Sequence, residues 1–252
     1  MRVSTGRQDG WQGGGATERD TLSFMPLHRP AASRGHADHG WLDSWHTFSF
    51  ADYHDPAWMG FSTLRVINED IVAGGTGFGM HPHRDMEILT WVLSGRLRHQ
   101  DSLGNTADLT PGEVQRMTAG TGMVHSETNP AADPVHLLQI WIQPSRRGLA
   151  PGYAQRRFDP QGRFQAVATP DGRDGSLTLN ADATLHLARF APGAHAVLPV
   201  RPGRRAWLHL ARGTATLGGL TLDAGDGLGL APGEGGELVA TVASEVLLFD
   251  LP

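Results

Sequence analysis

From Leu22 onward the chain is a succession of short apolar runs separated by turn residues, a pattern of strands rather than helices. Glu87 to Leu93 (EILTWVL) is a continuous β-prone run that ends in a Ser94-Gly95 turn, and Arg96 to Asp101 alternates like a half-buried strand. Leu103-Gly104-Asn105 is a hairpin signal, Thr110-Pro111-Gly112-Glu113 a further turn, and HLLQIWI (136–142) an apolar strand. Residues 144–180 are polar and turn-rich. The strand pattern then returns in LHLARF, AVLPV, AWLHLAR, TATLGG, LTLDAGDGLGLAP, ELVATVA and EVLLFDL. Short strands at this spacing predict an all-β protein made of two antiparallel β-barrel (jelly-roll) domains, each of a kind that encloses a pocket for one ligand. The expected organisation is a mobile tail over 1–22, an N-terminal domain over 23–150, a connector over 151–180 and a C-terminal domain over 181–252. The tail (MRVSTGRQDGWQGGGATERD and on) has too little apolar surface to offset its ordering entropy, and Met25 is an alternative start.

Composition narrows the chemistry. The 252 residues hold 33 Gly and 16 Pro, in keeping with many turns. They hold no Cys, which excludes disulfides, thiolate ligands, Fe–S clusters and a cysteine nucleophile and leaves His, Asp and Glu for any metal. A formal net charge of -5 gives no electrostatic case for nucleic acid. No stretch is long and apolar enough for a membrane span, and no apolar signal-peptide core begins the chain, so the expected compartment is the cytoplasm. The aromatic-rich lead-in with Trp41, Trp45, Phe48 and Phe50 reads as core packing. Its histidines His36, His39, His46 and His54 read as exposed or hydrogen-bonded side chains rather than ligands.

The candidate chemistry lies between Gly75 and Asn129. His81 and His83 are two residues apart, as are His125 and Glu127, and in a strand such pairs point to one face. Three imidazoles and a carboxylate converging inside a β-structure suit an open iron, manganese, copper or nickel site better than a closed structural zinc site. The spacing resembles the two-part cupin signature. Gly75 precedes His81 with five residues between, Glu87 follows His83 with three between, and Asn129 follows His125 with three between. Gly95 comes one residue late, and the second motif lacks its proline. In the second half, the positions equivalent to the two pairs are Pro199, Arg201, Leu238 and Ala240, so that half reads as a degenerate copy without metal. His186, His195 and His209 do not rebuild the set.

From about His28 to Pro252 the chain closely resembles the pirin family of bicupins, in particular its bacterial branch with quercetin 2,3-dioxygenase activity. The resemblance rests on RGHADHGWLDSWHTFSFADY, GFSTLRVINED, HPHRDMEILTWVLSG, HQDSLGN, QRMTAGTGMVHSETNP, LQIWIQP, YAQRRFD, DGSL and EVLLFDLP. It implies two facing cupin barrels and one metal in the first, held by His81, His83, His125 and Glu127, with Glu87 outside the ligand set. It further implies a divalent ion, Fe(II) first, with Mn, Co, Ni, Cu or Zn as alternatives. The implied reaction is cleavage of a flavonol-like aromatic substrate with O2 and release of CO, with Glu127 either accepting the substrate's proton or serving only as a ligand. Two other readings stand beside it: an iron-binding redox-sensing regulator acting through a protein partner, and a non-redox cupin such as an isomerase. No direct nucleic-acid or membrane partner is expected, and a monomer is the default.

Overall fold

A computed structural model describes residues 26–252; the predicted mobile tail and the alternative start at Met25 lie outside the described residues. Each half pairs a seven-stranded sheet with a four-stranded one. In the N-terminal half the large sheet runs in the order Gly152–Arg157, Glu113–Thr118, Glu87–Ser94, Val135–Ile142, Leu64–Val72, Leu42–His46, Gly35–Asp38. The small sheet is Gly77–His83, Met123–Thr128, Leu97–Asp101, Thr106–Leu109. The C-terminal half repeats the plan, with Arg205–Arg212, Ser244–Leu251 and Thr184–Phe190 at the centre of its large sheet. Among the described residues all pairings between strands are antiparallel except the short one of Gln165–Thr169 with Leu177–Thr178. No helix among the described residues is long and apolar enough to cross a membrane.

Alternation along the strands sorts side chains between two cores. On Glu87–Ser94 every residue but the last is buried, because both faces are covered. Leu89, Trp91 and Leu93 turn outward and pack with Leu138, Ile140 and Ile142 against Leu185, Leu187, Trp207, Leu247 and Phe249 of the other half. The principal core therefore lies between the two large sheets. Phe48 of the aromatic lead-in joins this core, whereas Trp41 packs inside the N-terminal barrel. Trp91 Nε1 donates to Glu245, which also takes Arg189 Nε at 3.0 Å.

The inward faces differ between the halves. The C-terminal barrel is filled with aliphatic side chains, among them Leu208, Leu210, Leu228, Leu238, Ala240 and Leu248. Leu238 and Ala240 thus occupy an apolar interior, and Arg201 binds Asp250 at 2.7 Å. The N-terminal barrel instead has two apolar ends, around Val92, Leu97 and Leu137 and around Ile88, Met117 and Met123. Between them the strand register aligns a polar row: Gln115 lies opposite Thr90, Thr90 opposite Gln139, Gln139 opposite Asn68, and Asn68 opposite His46. Glu87 has the opposite parity to Thr90. It faces away from the barrel interior and accepts the backbone N–H of Asn180 at 3.1 Å.

Two segments cross the expected boundaries. Residues 151–180, read from sequence as a connector, carry Gly152–Arg157, which pairs with Glu113–Thr118 of the N-terminal half, and Gln165–Thr169 and Leu177–Thr178, which belong to the C-terminal sheet. Leu27–Arg29 pairs with Gly227–Leu230 of the C-terminal half. These strands are short and lie at or near sheet edges, joined largely by backbone hydrogen bonds, so they need no apolar run and look like loop in the sequence.

Candidate metal centre

Two neighbouring strands of the small sheet build the site. Met123 lies opposite His83 and His125 opposite His81, after which the register shifts so that Glu127 lies opposite Phe78. On its other side the same strand places His125 beside Asp101 and Glu127 beside His99. Gly77 allows the strands to close up next to Glu127. Its φ is +152°, and a Cβ there would come within 2.4 Å of the Glu127 carbonyl oxygen.

The rings of His81, His83 and His125 surround one point, with centroids 4.8 Å apart for His81 and His83, 4.4 Å for His81 and His125, and 4.9 Å for His83 and His125. One nitrogen of each lies within 4.8 Å of the others. Burial, then repulsion from His81 and His99, pushes His125 down to about 3; burial, then repulsion from His125 and His81, pushes His83 down to about 4. Both are neutral at pH 7, with lone pairs available to a cation. His81 Nδ1 lies 2.7 Å from the Gly79 carbonyl and must donate to it, which leaves Nε2 as the lone-pair nitrogen. His125 Nε2 is buried without a hydrogen-bond partner. An orphaned buried nitrogen beside two further imidazoles fits a divalent ion of borderline softness.

Glu127 belongs to a second group. It shares a 4.8 Å cluster with His125 and His99, all three buried. Its Oε1 accepts from Gln115 Nε2 at 2.8 Å and Thr90 Oγ1 at 3.3 Å, and its Oε2 from Gln139 Nε2 at 2.6 Å. Three donors thus meet its two oxygens and fix their direction. The structure thus brings three of the four sequence-predicted ligands into one triad and sets the fourth in an adjoining triad that shares His125.

His99 escaped the sequence reading. Its Nε2 lies 3.0 Å from Asp101 Oδ2 and its Nδ1 3.4 Å from His125 Nδ1. Asp101 also takes the backbone N–H groups of Leu103 and Asn105 and the Asn105 amide. Against burial, which raises it, the hydrogen bonds from His99, Asn105 and Leu103 hold its carboxyl below the usual range. The carboxylate therefore draws the His99 proton to Nε2, His99 Nδ1 accepts from His125 Nδ1, and His125 Nε2 is left to bind. The ring of His99 stacks on Tyr153 at 4.5 Å. The signal for it was present in HQDSLGN, where His99 and Asp101 also stand two residues apart.

A cavity of about 540 Å³ adjoins this region through Phe78 of the strand that carries His81 and His83. Its lining includes Phe78, whose ring is 6.3 Å from that of His81, and Phe50, which meets Trp141 at 5.3 Å; Trp141 in turn is 4.9 Å from His83. His46, from the lead-in, is buried against this cavity and hydrogen-bonded to Asn68; His36 bonds Asp43, and His39 and His54 are exposed.

Comparison with known proteins agrees with this architecture. A family described as Pirin matches residues 28–142, and one described as Quercetinase C-terminal cupin domain matches residues 166–251. A quercetin 2,3-dioxygenase of Escherichia coli (strain K12) is 50% identical over 225 residues, covering 89% of this chain and 97% of that protein. The crystal structure of YhhW from Escherichia coli superposes with a TM-score of 0.87 at 50% identity, over 90% of this chain and 98% of that one. A second structure, of bacterial pirin YhhW in complex with nickel(II), gives 0.87 at 50% identity over 90% and 99%. A quercetin 2,3-dioxygenase from Acinetobacter baumannii shares the fold, with a TM-score of 0.67 at 20% identity over 82% of this chain and 80% of that one.

Proposed function

The chain belongs to the pirin family, and from that premise we propose that it is a metal-dependent dioxygenase that opens a flavonol-like substrate with O2 and releases CO. The observation that carries the reading is the triad of imidazoles His81, His83 and His125, whose neighbour Phe78 lines an adjoining aromatic-walled cavity. With Glu127 they would hold one divalent ion, Fe(II) first; the nickel(II) complex of a relative supports a site that accepts late first-row metals. Such an ion, when bound, supplies Lewis acidity that lowers the pKa of a chelating hydroxyl and brings the substrate together with O2.

The chain's own groups prepare that event. Gln115, Gln139 and Thr90 donate to both Glu127 oxygens and fix the carboxyl group in direction. This favours Glu127 as a ligand over Glu127 as a base, because proton uptake would turn one accepting oxygen into a donor facing donors. Asp101 and His99 orient His125. Phe78 and Phe50 offer apolar walls for an electron-rich aromatic ring, and Trp141 packs between Phe50 and His83. In the overall reaction O2 adds across the central ring, two carbon–carbon bonds break, one carbon leaves as CO, and the remainder becomes an ester of two phenolic acids.

The test is CO release from quercetin by metal-free protein reloaded anaerobically with Fe(II), Mn(II), Co(II), Ni(II) or Cu(II) and then given oxygen. Release with at least one metal, lost together with metal retention in His81→Ala, is expected. Stoichiometric metal binding with no CO from any of the five would overturn the reading in favour of a metal-sensing role.

A further inference from the structure

The four-stranded sheet of the N-terminal barrel does not cover the whole of the large one, and the cavity occupies the uncovered side. Its floor is the inner face of Gly35–Asp38, Leu42–His46 and Leu64–Val72. An uncovered inner face would ordinarily be apolar, yet four polar side chains, each 3–5% exposed, stand on it: Ser44, His46, Asn68 and Asp70. They form two cross-strand pairs. Ser44 Oγ donates to Asp70 Oδ1 at 2.5 Å, and His46 Nδ1 lies 2.9 Å from Asn68 Oδ1. Each pair uses one polar end of its members. Asp70 Oδ2, Asn68 Nδ2 and His46 Nε2 have no hydrogen-bond partner among the described residues and belong to residues that line the cavity. None of the three is a fully buried unpaired atom; they are accessible from the cavity, and a few convergent polar groups among aromatic walls are what a ligand pocket offers.

The position of the pairs tells which part of a ligand they meet. Asn68 lies directly opposite Gln139, which binds Glu127, and His46 lies opposite Asn68 on the next strand. Asn68 and Asp70 thus stand one strand spacing, about 5 Å, from the strand that binds Glu127, and their braces His46 and Ser44 two, about 10 Å, so a ligand chelated at the metal position would meet them with a part remote from its chelating edge. Trp41, Phe50 and Phe78 supply flat apolar contact in the cavity that these pairs line. We propose that Asp70 and Asn68, braced by Ser44 and His46, form a second subsite that binds hydroxyl groups on the substrate's pendant ring and makes hydroxylation of that ring the specificity determinant. The inference rests on the dioxygenase reading for the identity of the ligand's other end. A phenol hydroxyl donates to Asp70 Oδ2 and accepts from Asn68 Nδ2. Burial, against the Ser44 hydrogen bond and with repulsion from Glu127, pushes the Asp70 carboxyl up to about 7, so near neutrality it can receive or supply the shared proton.

A hydroxyl bonded to a buried charged group is worth roughly ten- to hundredfold in affinity. The experiment compares quercetin, which carries two pendant-ring hydroxyls, with galangin, which carries none there. Dissociation constants are read from tryptophan quenching of the full metal-loaded chain under nitrogen, and CO release is measured separately in oxygen. Wild type is expected to prefer quercetin by about ten- to hundredfold, and Asp70→Leu to bring the ratio within about threefold of one. If that variant does not fold, as judged by its melting curve, Asn68→Ala is read on the same ratio. Equal affinities for the two flavonols in wild type, or a ratio that survives in the folded variant, overturns the subsite. Discrimination in binding without CO release upholds the subsite while the dioxygenase reading falls; CO release from both flavonols with equal affinity does the reverse.

Discussion

His209 offers a measurement of how the two halves are joined. It lies within Arg205–Arg212 at 0% exposure, and neither ring nitrogen has a partner. Its parity with Trp207 and Ala211 turns it toward the core between the large sheets rather than into the leucine-filled barrel. Burial first, then the Arg34 charge, pushes its pKa from 6.5 down to about 4, against the opposing pull of Glu69 and Asp226. The folded state therefore refuses a proton that the unfolded state accepts between pH 6.5 and 4, and stability falls as pH falls through that window. Integration gives a loss of about 2 kcal/mol by pH 5 and about 3 kcal/mol by pH 4, with almost none above pH 7. His209→Leu removes this loss. The assay is thermal melting of metal-free wild type and variant at pH 7.5 and pH 5. His83, His125 and His186, also held below the ordinary range, titrate in both proteins and cancel in the comparison. At about 2–4 °C per kcal/mol for a protein of this size, the wild-type drop should exceed the variant's by about 4–8 °C. Equal drops would refute the claim that burial at this interface is what holds His209 neutral.

Two further outcomes follow from the metal centre. His99→Phe keeps the stack on Tyr153 but breaks the chain from Asp101 to His125, and metal affinity measured by chelator competition should fall about 10–100-fold; an unchanged affinity would remove His99 from any orienting role. Gly77→Ala puts a methyl 2.4 Å from the Glu127 carbonyl oxygen in a backbone region that favours glycine, and should cost about 1–3 kcal/mol in a urea titration together with a fall in bound metal measured by elemental analysis. Full retention of both would mean that the two strands adjust freely at that point.

Much of the site is local in origin, and to that extent legible. His81 and His83 share a face, as do His125 and Glu127, because side chains alternate with a period of two, and no tertiary information is needed for that. The loss of ligands from the second half is equally visible, since leucine and alanine stand where donors would be and both are buried in aliphatic packing. The strand-and-turn rhythm is likewise a property of short windows and sufficed for two antiparallel barrels. His99, Gln115, Gln139 and Thr90 carry no such mark. Each becomes part of the site only through register, because the pairing of Glu127 with His99, and of Gln139 with both Thr90 and Asn68, joins residues between 28 and 71 positions apart.

The same distinction explains the boundaries. Leu27–Arg29 completes the sheet of the far half, and Gly152–Arg157 that of the near one, by backbone hydrogen bonds that any residue except proline can make, so composition around them reads as loop. The cavity, too, is a tertiary product: it exists because one sheet is wider than the other, and no stretch of sequence contains that difference. The sequence determined residue alternation, turn positions and the supply of histidine and carboxylate donors. The pairing of strands, which sets neighbours across the sheet and depends on contacts remote along the chain, decided which side chains surround the metal position and which line the space beside it.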